Sequence, residues 1–309
     1  MALSNNRRSF FAEIYTKTFS GVVRIDASSS RYTEIKRFPD PANDQASGSF
    51  DGRWLVWAEF HSFSDQGDFT VWSWDSRTGR VRKIGATTRS SSGEFWPSSS
   101  QAPVTLDGYA TWEQGSGANG LGEVHVVDLA SGRDRVVRHG HPGGSFLVTG
   151  PLVVWPESMK PNALTVMKAA SAKTGREVAT PQALQNLHGG LAPVTDGGEL
   201  AYATNDLTSL WWAPSLAASP RRVYTAPNDG FLEVPLAASG RYVSFGIAPV
   251  LYVADAVLGR YIEIKNGGWA RVGAKAIVLL EPSAKKALHG ISDVIFLPLK
   301  SLPPIPPCR

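Results

Sequence analysis

The sequence predicts an all-β protein, and two observations lead to that prediction. The 309 residues include 30 Gly and 21 Pro beside 10 Trp and 13 Phe, a composition typical of many turns between aromatic-rich extended segments. One short hairpin pattern also recurs at intervals of 39 to 53 residues. Because periods of roughly 40 to 50 residues are typical of repeated four-stranded units, we expect antiparallel sheets built from one repeated motif.

The recurring hairpin combines an acidic or small residue before a tight turn with an arginine after it. Asp folds its carboxylate onto nearby backbone amides, and Gly readily takes a positive φ, so we interpret both as structural residues. The six copies are WDSRTGRVRKI (74–84), VDLASGRDRVV (127–137), ASAKTGREVAT (170–180), ADAVLGRYIEI (254–264), IDASSSRYTEI (25–35) and a looser SLAASPRRVYT (215–225).

A second unit precedes each hairpin, in which a Gly-containing turn opens a strand of about six residues that often carries an aromatic side chain. Trp57, Trp112, Trp155 and Phe245 are predicted to pack between neighbouring sheets. The copies are FDGRWLVWAEF (50–60), LDGYATWEQ (106–114), VTGPLVVWPES (148–158), TDGGELAYATN (195–205), ASGRYVSFGIA (238–248) and VGAKAIVLLEP (272–282).

Together the two units form a four-stranded repeat, which is the blade of a β-propeller. The sequence predicts a seven-bladed propeller in a single domain of residues 1–309, with a six-bladed ring or incomplete closure as alternatives. The first blade is expected to lack its inner strand and the last its outer strand. The expected blades are about 9–38 (partial), 46–85, 101–138, 145–185, 190–226, 231–266 and 269–300 (partial), before a proline-rich tail at 301–309.

Two motifs resemble the repeats of the TolB-like and YVTN-type bacterial β-propellers. They are x-D-G-x-x-Φ-x-W/F at 51–57 and Φ-x-Φ-D-x-x-T/S-G-R at 72–80, and the resemblance extends over nearly the whole chain. It implies the fold but no single activity, because such propellers serve as periplasmic interaction modules, enzyme scaffolds and lids. No G-x-S-x-G nucleophile elbow occurs.

Several classes of partner are disfavoured by composition. The net charge of +4 comes from basic residues scattered through turns, whereas a nucleic-acid site needs clustered charge with stacking aromatics. The most apolar stretch, 276–281, is too short to cross a bilayer, so membrane insertion is not expected.

The single cysteine, Cys308, excludes an internal disulfide. The start of the sequence has no signal peptide as written; the resemblance favours a periplasmic or secreted location, with a cytoplasmic one as the alternative.

The functional face is expected where the longest loops of blades two to four meet, because variable loops on a rigid scaffold carry function. The candidate binding residues are Trp96, His61, Glu59, Glu157, His141 and Asn205, with Glu59, Glu113 and Glu157 at equivalent strand ends. His139, His188 and Glu113 are candidate catalytic residues, and His139, His141 and His188 are candidate metal ligands.

Two functional interpretations remain open for these residues. A non-catalytic module would bind a protein segment or small ligand on this face without a cofactor, and its polar residues would cap strand ends. The alternative is a metal-assisted lyase or hydrolase, in which His and Glu hold one divalent metal ion or perform acid–base chemistry.

Three further signals are interpreted as structural. The G-x-G-x-x-G match at 115–120 lies between two strands, whereas a dinucleotide site needs a following helix, so we expect a hairpin loop. Glu123 and His125 are expected to form a cross-strand pair at the surface. Trp211 and Trp212 should point to opposite faces of one strand, one buried and one half-exposed.

Overall fold

The computed structural model confirms the all-β prediction. Within the residues it describes, the chain forms seven antiparallel sheets, six of four strands and one of three, with one short helix. The described residues are 2–3, 9–15, 19–26, 28–29, 31–40, 44–61, 68–89, 91–93, 95, 102–117, 121–140, 147–149, 151–158, 165–185, 191–194, 198–204, 206–226, 232–247, 250–265, 269–273, 276–281 and 293–299.

The chain divides into two compact units, and the first spans Met1–Thr180. It contains sheets 1 to 4, in each of which consecutive strands are hydrogen-bonded neighbours. The strands are β1 (Ala2–Leu3), β2 (Ser9–Tyr15), β3 (Ser20–Asp26) and β4 (Tyr32–Arg37) in sheet 1; β5 (Gln45–Phe50), β6 (Trp54–Phe60), β7 (Phe69–Asp75) and β8 (Val81–Ala86) in sheet 2; β9 (Val104–Leu106), β10 (Tyr109–Gly117), β11 (Leu121–Asp128) and β12 (Arg133–Gly140) in sheet 3; and β13 (Leu147–Thr149), β14 (Leu152–Ser158), β15 (Thr165–Ser171) and β16 (Glu177–Val178) in sheet 4.

The second unit, Pro181–Arg309, contains sheets 5 to 7. Across the described parts of both units, no helix has the length and apolar character needed to cross a membrane. The elements of this unit are α1 (Gln182–Gln185); β17 (Leu191–Val194), β18 (Leu200–Ala203), β19 (Ser209–Ala213) and β20 (Arg221–Thr225) in sheet 5; β21 (Glu233–Ser239), β22 (Tyr242–Ile247), β23 (Val250–Asp255) and β24 (Arg260–Lys265) in sheet 6; and β25 (Trp269–Gly273), β26 (Ala276–Glu281) and β27 (Asp293–Pro298) in sheet 7.

The second strand of each repeat carries the core between neighbouring sheets, as predicted. Trp57, Trp112, Trp155 and Phe245 are each at most 2% exposed. Trp57 packs with side chains of sheet 1, Trp112 with sheet 2, Trp155 with sheet 3 and Phe245 with sheet 5. Full burial of such large side chains contributes several kcal/mol each, so these aromatics fasten sheets 2, 3 and 4 to the sheet before each of them, and sheet 6 to sheet 5.

The predicted turn chemistry of the hairpins is also confirmed. Gly79, Gly132, Gly175 and Gly259 have φ values between 62° and 76°, which favour glycine. In the β11–β12 turn, the Asp128 carboxylate accepts hydrogen bonds from the amides of the second and third residues after it, at 3.0 and 3.1 Å.

The first sheet differs from the prediction of a missing inner strand. Ala2 and Leu3 pair with Phe11 and Phe10, so this sheet has four strands. Two residues are too few to produce a recognisable period. Sheet 7 has three strands among the described residues, whereas the proline-rich tail at 301–309 lies outside them.

A β-bulge recurs at one place in four of the sheets, where the fourth strand carries one extra residue opposite the third. Each bulged side chain is a half-buried Ile or Val that packs into the core between sheets. A bulge turns the following side chain in a new direction. The bulged residues are Ile35, Ile84, Val137 and Val223, and those that follow are Lys36, Gly85, Arg138 and Tyr224.

Candidate functional site

Two of the predicted binding residues, Glu59 and His61, lie at the end of β6 beside Asp44, which directly precedes β5. One donor atom from each of the three side chains lies within 4.8 Å of the others. We call these three residues the Asp44 cluster. Asp44 and Glu59 are buried and His61 is half-buried, so the imidazole is the group of the cluster that solvent reaches.

Asp44 is held by two hydrogen bonds with Asp40. The amide of Asp40 donates to the Asp44 carboxylate at 2.9 Å, and the amide of Asp44 donates back to the Asp40 carbonyl at 2.9 Å. The first bond fixes one carboxylate oxygen, Oδ2. The other oxygen, Oδ1, faces His61.

Both ring nitrogens of His61 have a hydrogen-bonding neighbour. Nδ1 lies 3.1 Å from Asp44 Oδ1, and Nε2 lies 3.2 Å from the hydroxyl of Thr70, which is opposite Glu59 on β7. Hydroxyl, imidazole and carboxylate stand in the order found in hydrolytic triads. The same bonds also satisfy both nitrogens of a half-buried histidine, a structural role that needs no substrate.

Glu59 is neutralised by a cation from the preceding sheet. The Lys36 ammonium lies 2.6 Å from Glu59 Oε2, and the two side chains are 16% and 2% exposed. The ammonium also sits 4.6 Å from the centre of the Trp72 ring. Two carboxylates and an imidazole are a donor set that fits Zn²⁺ or Mn²⁺, but a metal ion here would have to compete with Lys36.

Glu157, another predicted binding residue, makes the same kind of contact between sheets 3 and 4. Arg138 donates to its carboxylate at 2.5 Å, and the indole of Trp155 donates at 3.4 Å. Glu157 is 5% exposed. Its carboxylate is therefore bound within the fold by a cation that follows a bulge, as Lys36 does in sheet 1.

The predicted equivalence of Glu113 with Glu59 and Glu157 is wrong. Glu59 and Glu157 come two residues after the buried Trp57 and Trp155, whereas Glu113 directly follows Trp112. Side chains alternate between faces along a strand, so the equivalent residue is Gln114, and Glu113 points to the other face. Glu113 and Gln114 are both buried.

His125 and Glu123 form the predicted pair, but His125 does not lie at the surface. His125 is buried, and its ring stacks on Trp112 with centroids 5.2 Å apart and planes inclined by 6°. Its Nδ1 lies 2.9 Å from Asp134, and its Nε2 lies 3.3 Å from Glu123. Because the imidazole stacks on Trp112, it lies in the core, whereas the neighbouring carboxylates of Glu123 and Asp134 reach solvent.

The proposed convergence of loop histidines is not tested by the described residues. Trp96, His141, His188 and Asn205 lie outside them, and of His139 the structure describes only the backbone, which pairs with Glu123 on β11. The expected buried and half-exposed tryptophans of β19 are confirmed, with Trp212 buried and Trp211 half-buried.

Sequence reasoning missed three residues of this site: Asp44, Lys36 and Thr70. Asp44 stands in a connection between blades, Lys36 follows a bulge in the preceding sheet, and Thr70 is one of many threonines in strands. The pairing of Lys36 with Glu59 depends on packing between sheets and leaves no local sequence pattern.

Comparison with known proteins identifies the fold class but no family. No protein-family model matches the sequence, and no curated protein matches it. Among solved structures, the chain is similar to the β-propeller domain of the Trilobed protease from Pyrococcus furiosus, with a TM-score of 0.58, 11% identity and coverage of 94% of this chain and 89% of that one.

Two further similarities are to larger chains. Acylaminoacyl peptidase from Pyrococcus horikoshii aligns with a TM-score of 0.60 and 11% identity over 93% of this chain and 48% of that one. TolB from Acinetobacter baumannii aligns with a TM-score of 0.49 and 10% identity over 83% of this chain and 63% of that one. The chain thus spans about half the length of the peptidase and under two thirds of TolB. It has an all-β fold of antiparallel four-stranded sheets with β-propeller neighbours.

Proposed function

We propose that the chain is a seven-bladed β-propeller that acts as a non-catalytic binding module of the TolB-like type. Its seven antiparallel sheets and its similarity to propeller domains support the ring. The ligand is a protein segment or a small polar molecule. It docks at the end of the sheets where β6 ends and His61 lies.

The internal neutralisation of the Asp44 cluster supports binding over catalysis. A general base that acts on a bound substrate needs a lone pair that faces the substrate. Glu59 faces the Lys36 ammonium, and both nitrogens of His61 face groups of the protein. The proton that His61 Nε2 is placed to take is that of Thr70, whose side chain is half-buried in β7. What remains is a set of polar groups held in fixed positions, which suits recognition of a ligand's hydrogen-bonding groups.

Selection from a random peptide library displayed on phage tests this proposal. Peptides enriched on the purified protein should bind it saturably, and His61→Ala should weaken that binding by about tenfold, equivalent to one good hydrogen-bonded contact. Ser131→Ala is the matched control, because Ser131 is exposed in the β11–β12 turn of sheet 3, where third strands end, whereas His61 lies where a second strand ends. Thermal unfolding of both variants checks that they fold.

Two results of the peptide selection would overturn the proposal. Failure to enrich any peptide above the level seen on the His61→Ala variant would exclude recognition of a segment at this end of the sheets. Peptides that lose affinity in Ser131→Ala but not in His61→Ala would place the binding surface elsewhere.

A metal-assisted lyase or hydrolase is the second candidate, and the spacing of donors in the Asp44 cluster favours it. Titration calorimetry with MnCl2 and with ZnCl2 should then give one site per chain, lost in Asp44→Asn and strengthened in Lys36→Met, which removes the competing ammonium. A Lys36→Met variant that still binds neither metal would exclude a metal centre in this cluster.

A further inference from the structure

Exposed cations that are far apart in the sequence lie at one end of the sheets of the first unit. The turns between third and fourth strands of sheets 1 to 4 each place a cation directly after the turn, and all of these side chains are exposed. The exposed cations of these four turns are Arg31, Arg77, Arg80, Arg133, Lys173 and Arg176.

Contacts between sheets show that these turns lie at the same end. The Gly132 turn of sheet 3 lies against Arg82 at the start of β8, where a Cβ on Gly132 would meet Arg82 Nη1 at 3.2 Å. The Gly175 turn of sheet 4 lies against Arg135 at the start of β12, with 3.5 Å to its Cδ. The hairpins of sheets 3 and 4 therefore abut the beginning of the preceding sheet's fourth strand, beside that sheet's own turn. In sheet 1, Lys36 near the end of β4 pairs with Glu59 near the end of β6, so the turn before β4 lies at the same end as the turn before β8.

The carboxylates of these turns do not neutralise the exposed cations. Asp26 accepts hydrogen bonds from the amides of Ser28 and Ser29, and Asp75 accepts from Arg53. Among the residues that the structure describes, none of the six exposed turn cations forms an ion pair with a carboxylate. Arg82 stands close to this group: burial and the neighbouring Arg80 lower its pKa, while Asp128 and Asp75 act in the opposite direction.

We infer that this end of sheets 1 to 4 is a docking surface for an anionic lipid bilayer, which the chain contacts peripherally without insertion. The Gly79 turn projects, because a Cβ there would meet nothing within 4 Å. Exposed cations from four sheets at one end can touch an extended surface together, whereas a soluble polymer chain is usually held in a groove. Guanidinium groups form bidentate hydrogen bonds with lipid phosphates.

This surface is distinct from the proposed ligand site. His61 and Glu59 lie where β6 ends, and the arginine turns lie where β7, β11 and β15 end, at the opposite end of the same antiparallel sheets. A chain bound to a membrane through its turns would therefore present the Asp44 cluster away from the lipid.

Vesicle co-sedimentation tests the inference directly. The protein should bind phosphatidylcholine vesicles that contain phosphatidylglycerol, bind pure phosphatidylcholine far more weakly, and be released by salt. Each Arg near an anionic surface contributes about fivefold in partitioning, so Arg80→Gln, Arg133→Gln and Arg176→Gln combined should weaken binding by about 100-fold.

The matched control removes the same charge elsewhere. Arg37, Lys83 and Arg89 are exposed but belong to none of the hairpin turns, so their combined replacement by Gln should leave most vesicle binding intact. Equal loss in both triple variants, or no preference of the unmodified protein for phosphatidylglycerol, would overturn the inference. Binding to polyglutamate or duplex DNA without binding to vesicles would also overturn it and assign the surface to a soluble polyanion.

Discussion

Lys36 and Glu59 form an ion pair across the junction of sheets 1 and 2, with Nζ 2.6 Å from Oε2. Arg138 and Glu157 occupy the same two positions between sheets 3 and 4. At the intervening junction, both charges are absent together: Gly85 follows the bulge and Gln114 stands two residues after the buried tryptophan. Because a buried charge without a partner is costly, cation and carboxylate are kept or replaced as a pair.

Removal of Lys36 should destabilise the protein by leaving a buried carboxylate. Lys36→Met is expected to lower the free energy of unfolding by about 3 kcal/mol, because Glu59 would lose its cationic partner while one of its oxygens lies within 4.8 Å of an Asp44 donor atom. Urea unfolding of the purified variant measures the loss.

The double variant Lys36→Met/Glu59→Gln is the control for this prediction. Removal of both charges should restore most of the lost stability, since neutral replacements of a buried pair are often tolerated. A double variant that is less stable than Lys36→Met would show that packing, and not charge, explains the effect.

Gly85 is predicted to be required because Trp112 lies against it. An added Cβ would stand 2.5 Å from Cζ2 of the Trp112 ring, and this indole is 2% exposed. Gly85→Ala should therefore cost about 1–3 kcal/mol through overpacking. Gly79→Ala is the comparison, since its Cβ would enter open space and cost only the strain of a positive φ. Denaturation midpoints that rank Gly79→Ala as the more damaging change would contradict this packing argument.

The repeated hairpins could be predicted from sequence because their cause is local. An Asp such as Asp128 that folds onto its own turn, and a Gly at positive φ such as Gly132, act within six residues. The bulged Ile35 and Ile84 were not predicted, because a single extra residue changes neither composition nor period. The two-residue strand β1 was missed for the same lack of signal.

Prediction of the site succeeded where a residue stands at a strand end and failed where a contact crosses between elements. Glu59 and His61 are separated by one residue in β6 and its continuation, so their proximity follows from the strand. Asp44 reaches His61 only because β5 and β6 are paired, and Lys36 reaches Glu59 only because two sheets pack together. Such contacts depend on register and bulges that the sequence alone does not define.

Substitutions of Gly259 should destabilise the protein only through the backbone strain that they introduce. Its φ is 62°, and a Cβ there would meet nothing within 4 Å. Gly259→Val is therefore expected to cost about 1–3 kcal/mol by strain alone, and Gly259→Asn less, since Asn accepts this conformation. Thermal unfolding distinguishes the two. A peptide selected on the unmodified protein should bind both folded variants unchanged, and selective loss of binding at full stability would contradict a structural role.

The contribution of Asp75 to the stability of the protein should decrease as the pH falls into the acid range. Hydrogen bonds from Arg53, at 3.1 and 2.9 Å, lower the pKa of the buried Asp75 carboxyl below its ordinary value of 3.8. A carboxyl with a lowered folded-state pKa stabilises the fold fully above its unfolded pKa, and the contribution is lost as the pH falls through the folded value. Asp75→Asn should therefore cost about 2 kcal/mol at pH 7, with the difference from the unmodified protein shrinking below about pH 4.

Urea unfolding of Asp75→Asn and the unmodified protein across this pH range measures the predicted convergence. Asp107→Asn is the control, since Asp107 is exposed and Asn suits its φ of 52°; its effect should stay within about 0.5 kcal/mol at every pH. If the cost of Asp75→Asn is the same at pH 3 as at pH 7, the charge on Asp75 does not stabilise the turn. Its role would then be that of a neutral hydrogen-bond acceptor for Arg53 and for the amide of Arg77, which it also binds at 3.0 Å.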